Sequence, residues 1–84
     1  MNVNFRKIKI EDIEGKEIEV NFAEQLGNQL YMTGKNIIEC ELGKRIYFTQ
    51  VDIDLSEQEV QIVKNAVAGW GYVARTAINK AMKE

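Results

Sequence analysis

The chain has 84 residues, 45% of them hydrophobic, with no proline, no histidine, one cysteine and a formal net charge of −2 at pH 7. This length fits a single domain with a modest core, and the composition is that of an ordered soluble globule. The absence of histidine excludes imidazole-based triads and removes the commonest general base and metal ligand, and the net negative charge argues against general attraction to nucleic-acid phosphates.

The first predicted element is a hairpin within residues 3–22. Ile8 and Ile10 alternate with lysines, and Ile18 and Val20 alternate with glutamates. This period of two predicts two strands that share one apolar face and one charged face.

Two registers are open for this hairpin. A three-residue loop that ends at a left-handed Gly15 sets Lys9 opposite Glu19, but it also sets Glu11 opposite Glu17. A register shifted by two sets Lys9 opposite Glu17 and avoids that like-charge pair. The sequence leaves both open.

A first helix is predicted after the hairpin. Asn21 and Glu24 have the spacing of a capping box, which places the helix start near Phe22. Gly34 is predicted to end the helix as a left-handed C-terminal cap. The apolar stripe of this helix consists of residues four apart: Phe22, Leu26 and Leu30.

A second helix is predicted at once, because Asn36 and Glu39 repeat the capping-box spacing. Glu41 and Arg45 form a four-apart pair on its exposed side. Its end is open, since residues 45–51 are rich in strand formers. Its predicted inner face is Ile38, Leu42 and Ile46.

A third strand is predicted at residues 51–55, where Val51, Ile53 and Leu55 alternate with Asp52 and Asp54. Because a two-stranded hairpin alone is marginally stable, this strand is expected to join the hairpin.

The C-terminal segment carries the strongest pattern. Ser56 and Glu59 form a third capping-box pair, and a seam at three-four spacing follows: Val60, Val63, Val67, Trp70, Ala74, Ala77 and Ala81. A straight helix over residues 57–83 would be about 40 Å long, whereas a globule of this size is about 30 Å across. Either the helix is kinked at Gly69-Trp70-Gly71, or it stays straight and another chain covers its distal half.

Small residues in the distal half permit close approach of another helix. We therefore predict a two-fold homodimer, with a monomer in which the helix packs across the sheet as the alternative. The predicted interface residues are Val67, Trp70, Val73, Ala74, Ala77, Ile78 and Ala81.

No catalytic, cofactor-binding or metal site is predicted. Asp52, Asp54, Glu57 and Glu59 form the one cluster of oxygen ligands, but the twelfth position of a calcium loop would fall on Val63. We interpret the two aspartates as solvated strand side chains and the two glutamates as charges at a helix N-terminus.

The lone Cys40 can form neither an internal disulfide nor a zinc site, which fits a cytoplasmic protein. No apolar run is long enough for a signal peptide or a membrane span. An alternative function, nucleic-acid binding by a dimer, would use Arg75, Lys80 and Lys83.

Three segments carry a resemblance: FAEQLGNQLY at residues 22–31, IECELGKRIY at residues 38–47 and VDIDLSE at residues 51–57. Together they resemble small uncharacterised proteins carried by prophages and mobile elements of anaerobic bacteria. The resemblance implies an assembly or accessory role in a phage-like particle, and it supplies no catalytic or binding residues.

The sequence thus predicts one α+β domain over residues 1–84, of order ββααβα. We expect an antiparallel hairpin and a third strand packed by helices. The predicted function is a non-enzymatic, self-associating protein-interaction or assembly module.

Overall fold

The computed structural model describes residues 2–82, in which short strands alternate with two pairs of helices. In chain order the elements are β1 (Asn2–Val3), β2 (Ile8–Glu11), β3 (Glu17–Val20), α1 (Ala23–Thr33), α2 (Ile37–Phe48), β4 (Ile53–Asp54), α3 (Glu57–Val67) and α4 (Tyr72–Ala81). The α+β class is confirmed. The short strand ahead of the hairpin was not predicted, and the last predicted helix is two helices.

The hairpin of β2 and β3 adopts the register that the three-residue loop predicts. Gly15 is left-handed, with a φ of 86°. Asp12 organises the loop, because its side chain accepts from the backbone amides two and four residues ahead, both at 2.9 Å. These hydrogen bonds in the loop outweigh the repulsion between Glu11 and Glu17. The side-chain nitrogen of Lys9 lies 4.0 Å from a carboxylate oxygen of Glu17, its diagonal neighbour on β3. The pairs are Ile8 with Val20, Lys9 with Glu19, Ile10 with Ile18 and Glu11 with Glu17.

The third strand has a different neighbour from the one predicted. β4 pairs antiparallel with β1, so that Asn2 faces Asp54 and Val3 faces Ile53, in a sheet separate from the hairpin. The prediction that it joins the hairpin was wrong, because two residues are too few to show a strand period in β1. Val51 lies outside the strand and is 70% exposed.

The ends of α1 differ from the predicted caps. The Asn21 side chain accepts from the amide of Ala23 at 2.9 Å, and Phe22 occupies the N-cap position without a side-chain cap. Gly34 is extended, with φ −62° and ψ 138°, and not left-handed. Its role is close packing, because a Cβ there would lie 2.6 Å from the carbonyl oxygen of Leu30.

α2 begins where its cap predicts. The Asn36 side chain accepts from the amide of Glu39 at 3.0 Å. The Glu39 carboxylate accepts from the amide of Lys35. The predicted capping box would instead have it accept from the amide of Asn36, one residue later. The helix continues to Phe48, which makes part of the strand-forming segment helical.

α1 and α2 form an antiparallel pair whose backbones touch at two glycines. A Cβ on Gly27 would lie 2.7 Å from the carbonyl oxygen of Gly43, and a Cβ on Gly43 would lie 2.7 Å from that of Gly27. Of the predicted inner face of α2, Leu42 and Ile46 are buried. Ile38 is 49% exposed, so its placement in the core was wrong.

The C-terminal seam is divided at the Gly-Trp-Gly segment, and its second half is a separate helix that packs against β2. The capping box at Ser56 is confirmed, since its hydroxyl accepts from the Glu59 amide at 3.2 Å and its amide donates to the Glu59 carboxylate at 2.9 Å. α3 then ends at Val67 and α4 starts at Tyr72. The described chain measures 41 Å along its longest axis, so molecular size alone does not force this break.

One apolar core joins both sheets and all four helices of the described chain. Its largest completely buried side chains are Ile8, Leu26, Leu42, Ile46, Val63, Val67, Ile78 and Met82. Burial of each such side chain stabilises the fold by about 1.5–3 kcal/mol. The division of the seam therefore allows both α3 and α4 to face the same core.

Candidate interaction groove

An open groove of about 820 Å³ separates α4 from the hairpin. Every residue of β2 lines the groove, whereas Glu17 is its one lining residue from β3. The groove therefore runs along the edge of β2 that β3 leaves free, and part of its lining comes from the β1 region and the segment before β4: Asn2, Val3, Asn4 and Asp52. The facing wall belongs to α4 and consists of Tyr72, Val73, Thr76, Ala77, Lys80 and, at the end of the helix, Ala81.

The backbone of β2 presents hydrogen-bonding groups to this groove. The amide of Asp12 donates to the carbonyl of Lys16 at 2.9 Å, which identifies that pair as hydrogen-bonded. Because hydrogen-bonded and non-hydrogen-bonded pairs alternate in an antiparallel ladder, Ile10 bonds to β3 while Lys9 and Glu11 do not. The N–H and C=O groups of Lys9 and Glu11 thus point away from β3, toward the groove.

The α4 wall presents apolar side chains to solvent. Tyr72 is 72% exposed and Val73 is 52% exposed. Gly71 precedes the helix and its carbonyl accepts the first helical bond, from Arg75 at 3.0 Å. The break at Gly-Trp-Gly therefore positions this wall, because it sets where α4 begins and which side faces β2.

The charges around the groove are divided along β2. Lys7 and Lys9 lie at its start, and Glu11 and Asp12 lie at its end. Lys80 contributes a further cation from α4, and Glu17 and Asp52 contribute further carboxylates. The exposed face of the strand therefore changes from cationic to anionic over its length.

The seven predicted interface residues fall into three groups. Val67 and Ile78 are 0% exposed within the single chain, so they offer no surface to a partner. Val73 is exposed on the groove wall. The remaining four are partly buried against the core, and two of these, Ala77 and Ala81, line the groove: Trp70, Ala74, Ala77 and Ala81.

Trp70 lies at the break and is engaged inside the chain. Its indole N–H donates to the side-chain oxygen of Gln29 at 2.7 Å, and its ring centroid lies 5.7 Å from that of Phe22. The Gln29 amide in turn donates to the carbonyl of Ala66. These contacts hold the connection between α3 and α4 against α1.

The β2 wall was not predicted from the sequence, which placed the interface on the helix alone. A signal was present in residues 7–11, where two lysines precede a glutamate on the charged face. What the sequence does not show is which edge of β2 stays unpaired, because that depends on β1 and β4 pairing with each other instead of with the hairpin.

The acidic residues near the start of α3 serve the fold. The pKa of Glu59 is lowered because the Ser56 amide donates to its carboxylate and because Arg45 lies beside it, at 2.5 Å. Arg45 also donates to the carbonyl of Asp54. The predicted Glu41–Arg45 pair is therefore not formed. Within residues 2–82, no group of three or more acidic or cysteine side chains is placed to hold a metal ion.

The basic residues of the nucleic-acid alternative are placed separately. Arg75 donates to the carbonyl of Ala68 at 3.2 Å and lies 5.8 Å from the Tyr72 ring centroid. Lys80 lines the groove. Lys83 lies outside the described residues.

A second apolar surface lies on the α1–α2 pair. A shallow pocket of about 170 Å³ above the glycine contact is lined by Tyr31, Tyr47 and Phe48, and Phe48 is an exposed side chain. Lys44 lies 5.8 Å from the Tyr31 ring centroid and 3.5 Å from the carboxylate of Glu41. The ammonium group of Lys44 is thus already paired with Glu41. The walls of this pocket are formed by helices and not by a strand edge.

None of the helices within residues 2–82 is long and apolar enough to cross a membrane. Comparison with protein-family models, with curated proteins and with solved structures finds no match to this chain.

Proposed function

We propose that this protein is a non-enzymatic interaction module that self-associates through the groove between β2 and α4. The observation that carries the proposal is the juxtaposition of exposed apolar side chains on α4, Tyr72 and Val73, with a free edge of β2. A strand edge with unpaired N–H and C=O groups is a template for pairing with another chain.

The α4 wall favours a second helix as the occupant of one side of the groove. Ala77 and Ala81 line it and are small, which permits close approach of helix axes. A two-fold homodimer uses the same patch twice, so an apolar wall and a strand edge on one chain can cover their own copies on the other.

The cellular setting of this self-association is proposed from the resemblance alone. An assembly or accessory role in a phage-like particle fits a small module that binds copies of itself. The chemistry of the groove supports protein contact and not a reaction, because its lining combines an apolar helix face with surface lysines and carboxylates.

Sedimentation velocity over a wide range of micromolar concentrations tests the proposal. The native chain is expected to sediment increasingly as a dimer as concentration rises. V73K, which places a charge on the groove wall, is expected to weaken the dimer. A matched control is I37K, because Ile37 is also a largely exposed aliphatic residue but lies outside the groove.

A native chain that remains monomeric at high micromolar concentration would contradict the proposal. Equal weakening by V73K and I37K would contradict the location. A gel-shift assay at low salt addresses the nucleic-acid alternative, which predicts binding that falls steeply as salt rises.

A further inference from the structure

We propose that the β2 strands of two chains pair edge to edge and antiparallel about a two-fold axis at Ile10. In this arrangement Lys9 of each chain lies opposite Glu11 of the other, and the two hairpins form one four-stranded sheet. This inference rests on the self-association proposed above and names the surface and register that produce it.

The backbone restricts the possible registers. The outward-pointing groups of β2 belong to Lys9 and Glu11. The amide of Lys7 is already bonded to the carbonyl of Asn4 at 3.1 Å, so it does not extend this edge. Hydrogen-bonded pairs between two copies can then join Lys9 to Lys9, Glu11 to Glu11, or Lys9 to Glu11.

Charge selects among these three registers. The first two set like charges directly opposite each other across the axis, and such pairs are destabilising. The third sets an ammonium group opposite a carboxylate twice, once on each side of the axis. The sequence of β2 is therefore complementary to itself in one register only.

Glu11 has no ion pair among residues 2–82. Its cross-strand neighbour in the hairpin is Glu17, a like charge. Lys9 of a second copy would supply a cation in the proposed register.

The free edge of β3 does not offer the same complementarity. Its outward-pointing groups belong to Glu17 and Glu19. Pairing of β3 with another β3 sets glutamates opposite glutamates. Pairing of β3 with β2 of another copy in the register of the hairpin sets Glu11 opposite Glu17, and any β3–β2 pairing is head-to-tail and leaves further edges open. The β2 edge is thus the one that closes a symmetric dimer without like-charge pairs.

The proposed axis also brings the α4 helices together. The Ile8 and Ile10 face of β2 packs toward the core that contains Ile78, and α4 contacts β2. Strands paired antiparallel are related by an axis perpendicular to their sheet, so both α4 helices lie on the same side of the joined sheet. Val73 and Ala77, which line the groove, then face the partner.

Charge reversal tests the register. Each K9E chain carries two carboxylates on its β2 edge, and each E11K chain carries two ammonium groups. We expect each variant alone to dimerise at least about tenfold more weakly than the native chain, since attraction is replaced by repulsion twice. An equimolar mixture of K9E and E11K should form a heterodimer, and the double variant K9E/E11K should recover self-association.

Far-UV circular dichroism and unfolding midpoints are measured first, because K9E also removes the 4.0 Å contact between Lys9 and Glu17 within the hairpin. K64E is a matched control for charge reversal, because Lys64 is exposed on α3 and lies outside the groove. It should leave the association unchanged.

The outcomes separate this inference from the function on which it rests. If K9E and E11K each dimerise as the native chain does while V73K remains weaker, β2 pairing is overturned and association through α4 stands. If the single variants are weaker but neither the mixture nor the double variant recovers, the register is overturned. If the native chain never associates, the proposed function falls together with the inference.

Discussion

Substitution of Gly27 by alanine should destabilise the fold, although alanine is the better helix former. Gly27 lies where α1 touches α2, and a Cβ there would be 2.7 Å from the carbonyl oxygen of Gly43 and 2.8 Å from the Cβ of Tyr47. Ordinary van der Waals contact for such a carbon begins at 3.4 Å, so the helices must separate by about 0.7 Å. Because a backbone oxygen and a Cβ atom form the contact, and neither moves when a side chain rotates, rotation cannot relieve it.

Two effects of opposite sign determine how much G27A changes the free energy of unfolding. Glycine to alanine inside a helix gains about 1 kcal/mol in intrinsic propensity. Overpacking costs about 1–3 kcal/mol, and the upper end applies here because α2 carries the buried Leu42 and Ile46 away from α1. The expected net loss is about 1–2 kcal/mol, which lowers the Tm of a domain of this size by about 5–15 °C.

Thermal unfolding followed by circular dichroism measures this loss, and G69A is the matched control. A Cβ on Gly69 would meet no atom within 4 Å, and the φ of Gly69 is not positive. The same substitution should therefore leave the Tm unchanged or raise it, since alanine restricts the unfolded chain. A G27A protein as stable as G69A would refute the reasoning from close helix contact.

Three further predictions concern the caps and the α3–α4 connection. S56A should lower the free energy of unfolding by about 1 kcal/mol in urea titrations, because the Glu59 amide loses its acceptor; an unchanged value would show that water replaces the cap without loss. The pKa of Glu59 is lowered in the folded chain, chiefly by the Ser56 amide and also by Arg45, so its ionised form stabilises the fold above its ordinary pKa of 4.5. That contribution is lost as the pH falls through the lower folded-state pKa, so E59Q should be less stable than the native chain at pH 7 and equal to it in strong acid; an equal difference at both pH values would contradict this. W70F removes the indole donor to Gln29, and a double-mutant cycle with Q29A should give a coupling of about 0.5–1.5 kcal/mol; additive effects would contradict the hydrogen bond.

The sequence predicted local structure well where a short-range signal acts alone. The hairpin and a left-handed Gly15 were predicted, but the register of the hairpin was left open and is decided by the loop, in which Asp12 accepts from two backbone amides. The Ser56 capping box likewise needs two residues three apart. At Asn21 only part of the predicted capping box forms: its side chain accepts from the Ala23 amide at 2.9 Å, whereas no hydrogen bond from the Asn21 amide to Glu24 is present among the described residues.

The contacts that sequence reasoning missed are long-range. Arg6 donates to the carbonyls of Tyr47 and Thr49 at the end of α2, and no local pattern reveals an arginine that satisfies carbonyls more than forty residues away. The same holds for β1 and β4, whose pairing joins the N-terminus to residues 53–54. The groove depends on that pairing, because it leaves one edge of β2 free, so the candidate site could be predicted only in its α4 half.

The Gly-Trp-Gly segment shows how far folding and association are separable in this chain. Trp70 satisfies its indole donor on Gln29, and the helix that follows it buries Ile78 completely, so these two side chains are engaged within a single chain. The surface that remains exposed for a second copy is the side of α4 that carries Val73, together with the β2 edge beside it. A change on the α4 side of that surface, such as V73K, should therefore alter association while leaving the unfolding midpoint of the monomer nearly unchanged, whereas changes at Trp70 should lower that midpoint.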